Sequence, residues 1–173
     1  MGTPAAAAAF LLYSTNLLGE NGVSPEQFDT TALQGCIFGI RAEDGKVVCK
    51  LNVKREIQNR NGHLHGGCTA TIVDIVGTAA LLTRSRRAGV SLAINTNYLR
   101  PVPGNAVAEI RARVQRVGCT VGVVVVDIVD PESGQVCASG THIKFISKQE
   151  PDLGLVLNHH RHMEGQGETL SKL

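Results

Sequence analysis

Tryptophan is absent from the chain, and four Phe and two Tyr leave it 3% aromatic although it is 43% hydrophobic. Its core therefore has to be built from Val, Ile, Leu and Ala, small side chains that must pack closely. A large excess of one charge is also missing. Lys and Arg number 17 against 15 Asp and Glu, for a net charge of +2. That balance argues against a nucleic-acid protein that binds by neutralising phosphates, and no RNP, helix-turn-helix or zinc-finger signature is present. An anionic small molecule stays compatible, because arginines bunch at Arg84, Arg86 and Arg87 and again at Arg111, Arg113 and Arg116. The five cysteines (Cys36, Cys49, Cys68, Cys119, Cys137) are odd in number and lack CxxC spacing, so neither a zinc site nor a full disulfide framework is indicated. They read as small core residues of a reducing or neutral intracellular compartment.

No Lys or Arg precedes the apolar run in MGTPAAAAAFLLYST, as a secretory leader would need, and Ala6 stands where a myristoylation pattern wants Ser or Thr. Residues 1–23 are expected to be a flexible or weakly helical tail. A membrane span is disfavoured too. The most apolar segment, Gly66 to Thr83, is near the lower length limit, contains Asp74 and four threonines, and has no aromatic anchors. No membrane insertion is expected, and no internal repeat is visible.

What is present fits one domain over residues 24–147, followed by a polar tail over 148–173. Ser24-Pro25-Glu26-Gln27 has the composition of a helix start and predicts a short helix to about Gln34. Cys36 to Glu43 and Lys46 to Val53 alternate like strands around Asp44-Gly45, a hairpin signal. The central segment has no polar face, since Ile72, Val73, Ile75, Val76, Leu81 and Leu82 surround its axis. Four strand candidates follow: Val90 to Leu99, Ala106 to Val117, Thr120 to Asp130 and Gln135 to Ser147. They read as an antiparallel meander. A hairpin, a long buried helix and then a meander predict an α+β hotdog fold, a curved antiparallel sheet wrapped around one helix.

At this point a motif can be placed. Asn59-Arg60-Asn61-Gly62-His63-Leu64-His65-Gly66-Gly67, followed by Asp74, resembles the N-x-x-G-x-L-H-G-G-x-x-x-x-x-x-D signature of hotdog thioesterases, in particular the acyl-CoA thioesterase 13 group. Further matches are Gly89-Val90-Ser91, Asn97-Tyr98, the Pro101 to Gly104 turn and Ala138-Ser139-Gly140-Thr141-His142, so the resemblance spans about residues 26 to 146. It implies hydrolysis of an acyl-CoA to a free acid and CoA by a homodimer, usually paired into a homotetramer; no cofactor and no metal are expected. It places CoA along Tyr98, Leu99, Arg100, Pro101, Val102 and Pro103, along Arg116, Val117, Gly118, Cys119, Thr120 and Val121, and near Phe145. Arg100 and Arg116 would meet its phosphates.

The residues support this chemistry on their own terms. Gly66 and Gly67 fall where the helix starts, with backbone N–H groups that have no intrahelical acceptor and no side chain to block a carbonyl, so an oxyanion would be stabilised there. Asp74 lies roughly 12 Å farther along the axis, too far to share a reacting carbon with Gly66 in one chain. The resemblance resolves this by facing Gly66 and Asn59 of one subunit with Asp74 and Ser91 of the other. Asp74 then acts as general base or as nucleophile, Asn59 orients the thioester or the water, and Ser91 holds the water. A buried carboxylate without a role would be costly. His65 is given an orienting role below Asp74. Cys68 offers a rival thiolate nucleophile in the first helical turn.

Two other functions are carried forward. A hotdog enoyl-CoA hydratase would want a His a few residues from the Asp, but Ala79 and Ala80 occupy the plausible places. A non-catalytic acyl-CoA binding module would use the same groove. His159, His160 and His162 read as solvated tail residues. Ser171-Lys172-Leu173 matches the peroxisomal address, so import by its receptor and a peroxisomal location are expected.

Overall fold

The computed structural model describes residues 2–14, 28–150 and 152. Ser24 to Gln27, the three tail histidines and Ser171 to Leu173 lie outside the described residues. The elements run α1 (Pro4–Ser14), α2 (Phe28–Leu33), β1 (Ile37–Glu43), β2 (Lys46–Asn52), α3 (Gly66–Leu82), β3 (Val90–Tyr98), β4 (Val107–Val117), β5 (Val121–Val129) and β6 (Val136–Phe145). A 3-10 turn at Arg55–Ile57 leads from β2 towards α3. The six strands form one antiparallel sheet in the order β1-β2-β4-β5-β6-β3. This is the hotdog architecture, with α3 lying across β2 to β6.

Alternation decides which face each strand buries. Val47, Cys49 and Leu51 on β2, Ala108, Ile110 and Ala112 on β4, and Val124, Val126 and Ile128 on β5 are buried against the helix. From α3 they meet Ile72, Val73, Val76, Ala79 and Ala80. Small aliphatic side chains let the helix sit close to the sheet. At Gly140 on β6 a Cβ would come within 2.5 Å of the Val73 side chain. Among the described residues no helix is long and apolar enough to cross a membrane.

Two expectations are corrected. The last four strands are not a simple meander: β3 pairs with β6, Tyr98 opposite Ala138 and Val90 opposite Phe145, while β4 pairs with β2 and β5. The β2–β4 ladder occupies the position beside β4 that a meander would have assigned to β3, so β3 closes the far edge. The N-terminal segment is also more than a loose tail. Ala7 and Leu11 are fully buried and α1 packs on α3 and β1, because an uncharged Ala- and Leu-rich helix buries apolar surface there.

Candidate active site

The segment before α3 is a loop whose polar groups are spent on its own shape. The Asn59 side-chain oxygen accepts from the Asn61 and His63 N–H groups at 2.9 and 3.2 Å, which leaves its amide nitrogen for another partner. His65 is the N-cap of α3. Its Nδ1 accepts from the Gly67 N–H at 2.9 Å, so the ring is held as a cap and is not placed as a base. Gly66 N–H has no acceptor among the described residues. The Tyr98 hydroxyl donates to the Gly66 carbonyl at 2.9 Å and ties this loop to the end of β3. A cavity of about 500 Å³ opens here, lined by Asn59, Gly66 and the run Tyr98 to Val102. Pro103 is bridged to His63 beside it. Arg100 donates to the Val136 carbonyl at 3.2 Å.

The second group of residues collects about two turns farther along α3. Asp74, eight residues beyond Gly66 and so roughly 12 Å along the axis, faces the opposite end of β3. Ser91 Oγ lies 3.3 Å from Asp74 Oδ1 and 2.9 Å from His142 Nε2. His142 Nε2 is 3.5 Å and Lys144 Nζ 3.9 Å from the same carboxylate oxygen. Lys144 also donates to Thr78 Oγ1 at 2.7 Å, and Thr78 donates to the Asp74 carbonyl at 2.8 Å. Asp74 is not the buried carboxylate expected from an apolar helix. Its side chain is 44% exposed in the single chain, whereas His142 is fully buried and Lys144 nearly so.

Burial, reinforced by the Lys144 ammonium, pushes the His142 imidazole down to about 4, and the Asp74 carboxylate only partly opposes this. His142 is thus neutral near pH 7, and its contact with Asp74 is a dipole against a charge. With the proton on Nε2 the ring donates to Ser91, whose hydroxyl donates on to Asp74. With it on Nδ1 the ring turns its proton towards the Val73 and Asp74 carbonyls. Nδ1 itself is buried with no partner of hydrogen-bonding geometry among the described residues. Burial lowers the Lys144 ammonium as well, with Asp74 and Glu150 opposing.

Neither His142 nor Lys144 was singled out as a site residue from the sequence. The signal was there: Ala138, Gly140, His142 and Lys144 alternate onto one face of β6, so the last two are polar groups on a core face. The hydratase argument also needs correcting, since a His does stand beside Asp74, contributed by a strand and not by the helix. At 0% exposure it cannot touch a substrate. Burial pushes the Cys68 thiol up, which works against the thiolate alternative.

The remaining sequence-selected residues divide between the two ends. Arg116 and Val117 end β4, Gly118 to Thr120 turn, and Val121 opens β5 opposite Phe145. Phe145 and Ala138, the partner of Tyr98, are seven residues apart on β6, roughly 23 Å. One chain therefore does not bring Tyr98 to Pro103 together with Arg116 to Val121. The arginines of the first cluster have protein partners: Arg84 pairs with Asp44 at 2.9 Å, Arg86 with Asp152, and Arg87 donates to the Lys148 and Glu150 carbonyls.

Comparison with known proteins bears on this arrangement. The Thioesterase superfamily profile matches residues 61–137, from the loop before α3 into β6. Human acyl-coenzyme A thioesterase 13 is 39% identical over 113 residues, which is 65% of this chain and 81% of that protein. The crystal structure of zebrafish thioesterase superfamily member 2 superposes with a TM-score of 0.72 at 30% identity, covering 84% of this chain and 99% of that one. A hypothetical thioesterase from Streptococcus pneumoniae, crystallised with coenzyme A, gives 0.59 at 29% identity over 66% and 87% of the two chains.

Proposed function

The chain belongs to the thioesterase superfamily, and on that premise we propose that it hydrolyses acyl-CoA to a free acid and CoA at a site shared between two subunits. The observation that carries the reading is the division of the polar residues. Gly66 and Asn59 lie by the Tyr98 end of β3, and Asp74 with Ser91 by its Val90 end.

β3 is one of the two edge strands of the sheet, and it carries exposed Val90, Leu92 and Tyr98. An unpaired apolar edge is a template for another strand. Two-fold pairing of β3 with its own copy, centred near Ile94, sets Tyr98 of one subunit opposite Val90 of the other. Each Gly66 then approaches the partner's Asp74, and the 12 Å conflict within one chain disappears. The same pairing brings Tyr98 to Pro103 of one subunit towards Arg116 to Val121 and Phe145 of the other, joining the two stretches assigned to CoA. Pairing of such dimers into a tetramer belongs to this reading.

In the shared site the thioester carbonyl accepts from Gly66 N–H and from the Asn59 amide, at the positive end of α3. A water held by Ser91 gives a proton to Asp74 as its oxygen attacks the carbonyl carbon. The tetrahedral oxyanion collapses, the C–S bond breaks, and CoA leaves as a thiolate that takes up the proton. The general-base role is favoured over direct attack by the carboxylate because Ser91 already occupies one Asp74 oxygen and His142 backs it.

Free-thiol release from acyl-CoA by the purified protein tests the reading and separates it from a binding module that uses the same groove. Asp74→Asn is expected to lower kcat by about 10²–10⁴-fold with the fold retained. Near-normal kcat in that variant refutes the assignment.

A further inference from the structure

The cavity beside Asp74, about 680 Å³, is within the usual range for small-molecule sites and is larger than the one at Gly66. Asp74, Ser91, Lys144 and the threonines Thr71 and Thr78 are its polar lining, while Ile75 and Ile94 belong to the apolar remainder. Its floor follows one stripe of α3 from Ala70 to Thr78, roughly 12 Å of helix. On the thioesterase reading the reacting carbon sits by Ser91 and Asp74, and the apolar part of this cavity lies open to an acyl chain attached to it. That part is walled by Phe10 from α1 and Phe28 at the start of α2, two of the four phenylalanines in the chain.

The two walls are not equivalent. Phe28 is 74% exposed, whereas Phe10 is partly buried and packed against the core. Its neighbour Leu11, and Ala7 one turn before, are fully buried, which anchors α1 and with it the Phe10 ring. We propose that Phe10 is the end wall of the acyl pocket and sets the length of acyl group that reaches Asp74. The N-terminal helix is on this view a specificity element. The inference rests on the thioesterase reading.

The test uses the full chain and a series of straight-chain acyl-CoA esters from acetyl to palmitoyl, followed by thiol release. Phe10→Trp, which fills the cavity, is expected to lower the ratio of kcat/KM for the longest ester accepted over that for acetyl-CoA by about tenfold. Phe10→Ala, which empties it, is expected to raise the same ratio and move the optimum to longer chains. Phe10→Leu gives a smaller shift in that direction and replaces the alanine variant if circular dichroism shows the latter unfolded. Unchanged ratios in all folded variants, with the wild type active, overturn the end-wall proposal alone. No thiol release by wild type from any ester overturns the thioesterase reading and the wall with it.

Discussion

At the scale of the residue, the least expected finding is a neutral, fully buried His142 behind Ser91 and Asp74, with the Lys144 ammonium alongside. Its folded value of about 4 lies below the ordinary 6.5 of an exposed imidazole. Between those two pH values the unfolded chain binds a proton that the folded chain does not, so stability rises with pH across the window and is lost on acidification from 6.5 towards 4. The contribution is at most on the order of 3 kcal/mol. Urea unfolding at pH 7.5 and 4.5 reads it: the wild type is expected to weaken on acidification, and His142→Gln to show a distinctly flatter dependence. Equal slopes for the two proteins would remove His142 as the cause. The sequence named Asp74, Gly66, Asn59 and Ser91 because each stands in or near a recognisable pattern. It passed over His142 and Lys144 as site residues, whose importance comes from a strand that meets the helix about seventy residues later.

At the scale of the element, the helix–sheet contact depends on what is missing from β6. Gly140 has no Cβ, and the Val73 methyls occupy that space, one residue before Asp74. Gly77 plays the same part above His142, where an added Cβ would lie 3.1 Å from Nδ1. Gly140→Ala is therefore expected to cost about 1–3 kcal/mol through overpacking, read as a lower urea midpoint at unchanged slope. A midpoint equal to wild type would show that α3 can lift off β6 freely. Strand positions were legible from period-two alternation and turn residues, and the helix from its length and apolar girth. The order of strands was not, because alternation reports which face a residue occupies and says nothing of which strand lies beside it. The packing of the N-terminal helix was missed for a related reason: a short Ala-rich segment is marginal alone and is held here by burying Ala7 and Leu11.

At the scale of the whole molecule, the proposed shared site makes a prediction that a self-contained site does not. Asp74→Asn and Asn59→Ala each disable both sites of a homodimer but damage different halves. Refolding them together at equal amounts gives half heterodimers, each with one site built from two intact halves. About a quarter of wild-type turnover is then expected to return if subunits mix at random. Mixtures that stay as inactive as the separate variants, although tagged subunits show that heterodimers have formed, would place each site within one chain.

The sequence alone determined the strands, the apolar character of α3, the glycine pair at its start and the one carboxylate along its length. Those follow from short-range rules of side-chain period, backbone freedom and capping, which act over a few residues. Only the tertiary structure decided that β3 closes the sheet edge, that His142 and Lys144 stand behind Asp74, and that α1 brings Phe10 to the same cavity. Each of these joins residues far apart in the chain, where packing of the helix against the sheet sets the neighbour and no local pattern carries the information.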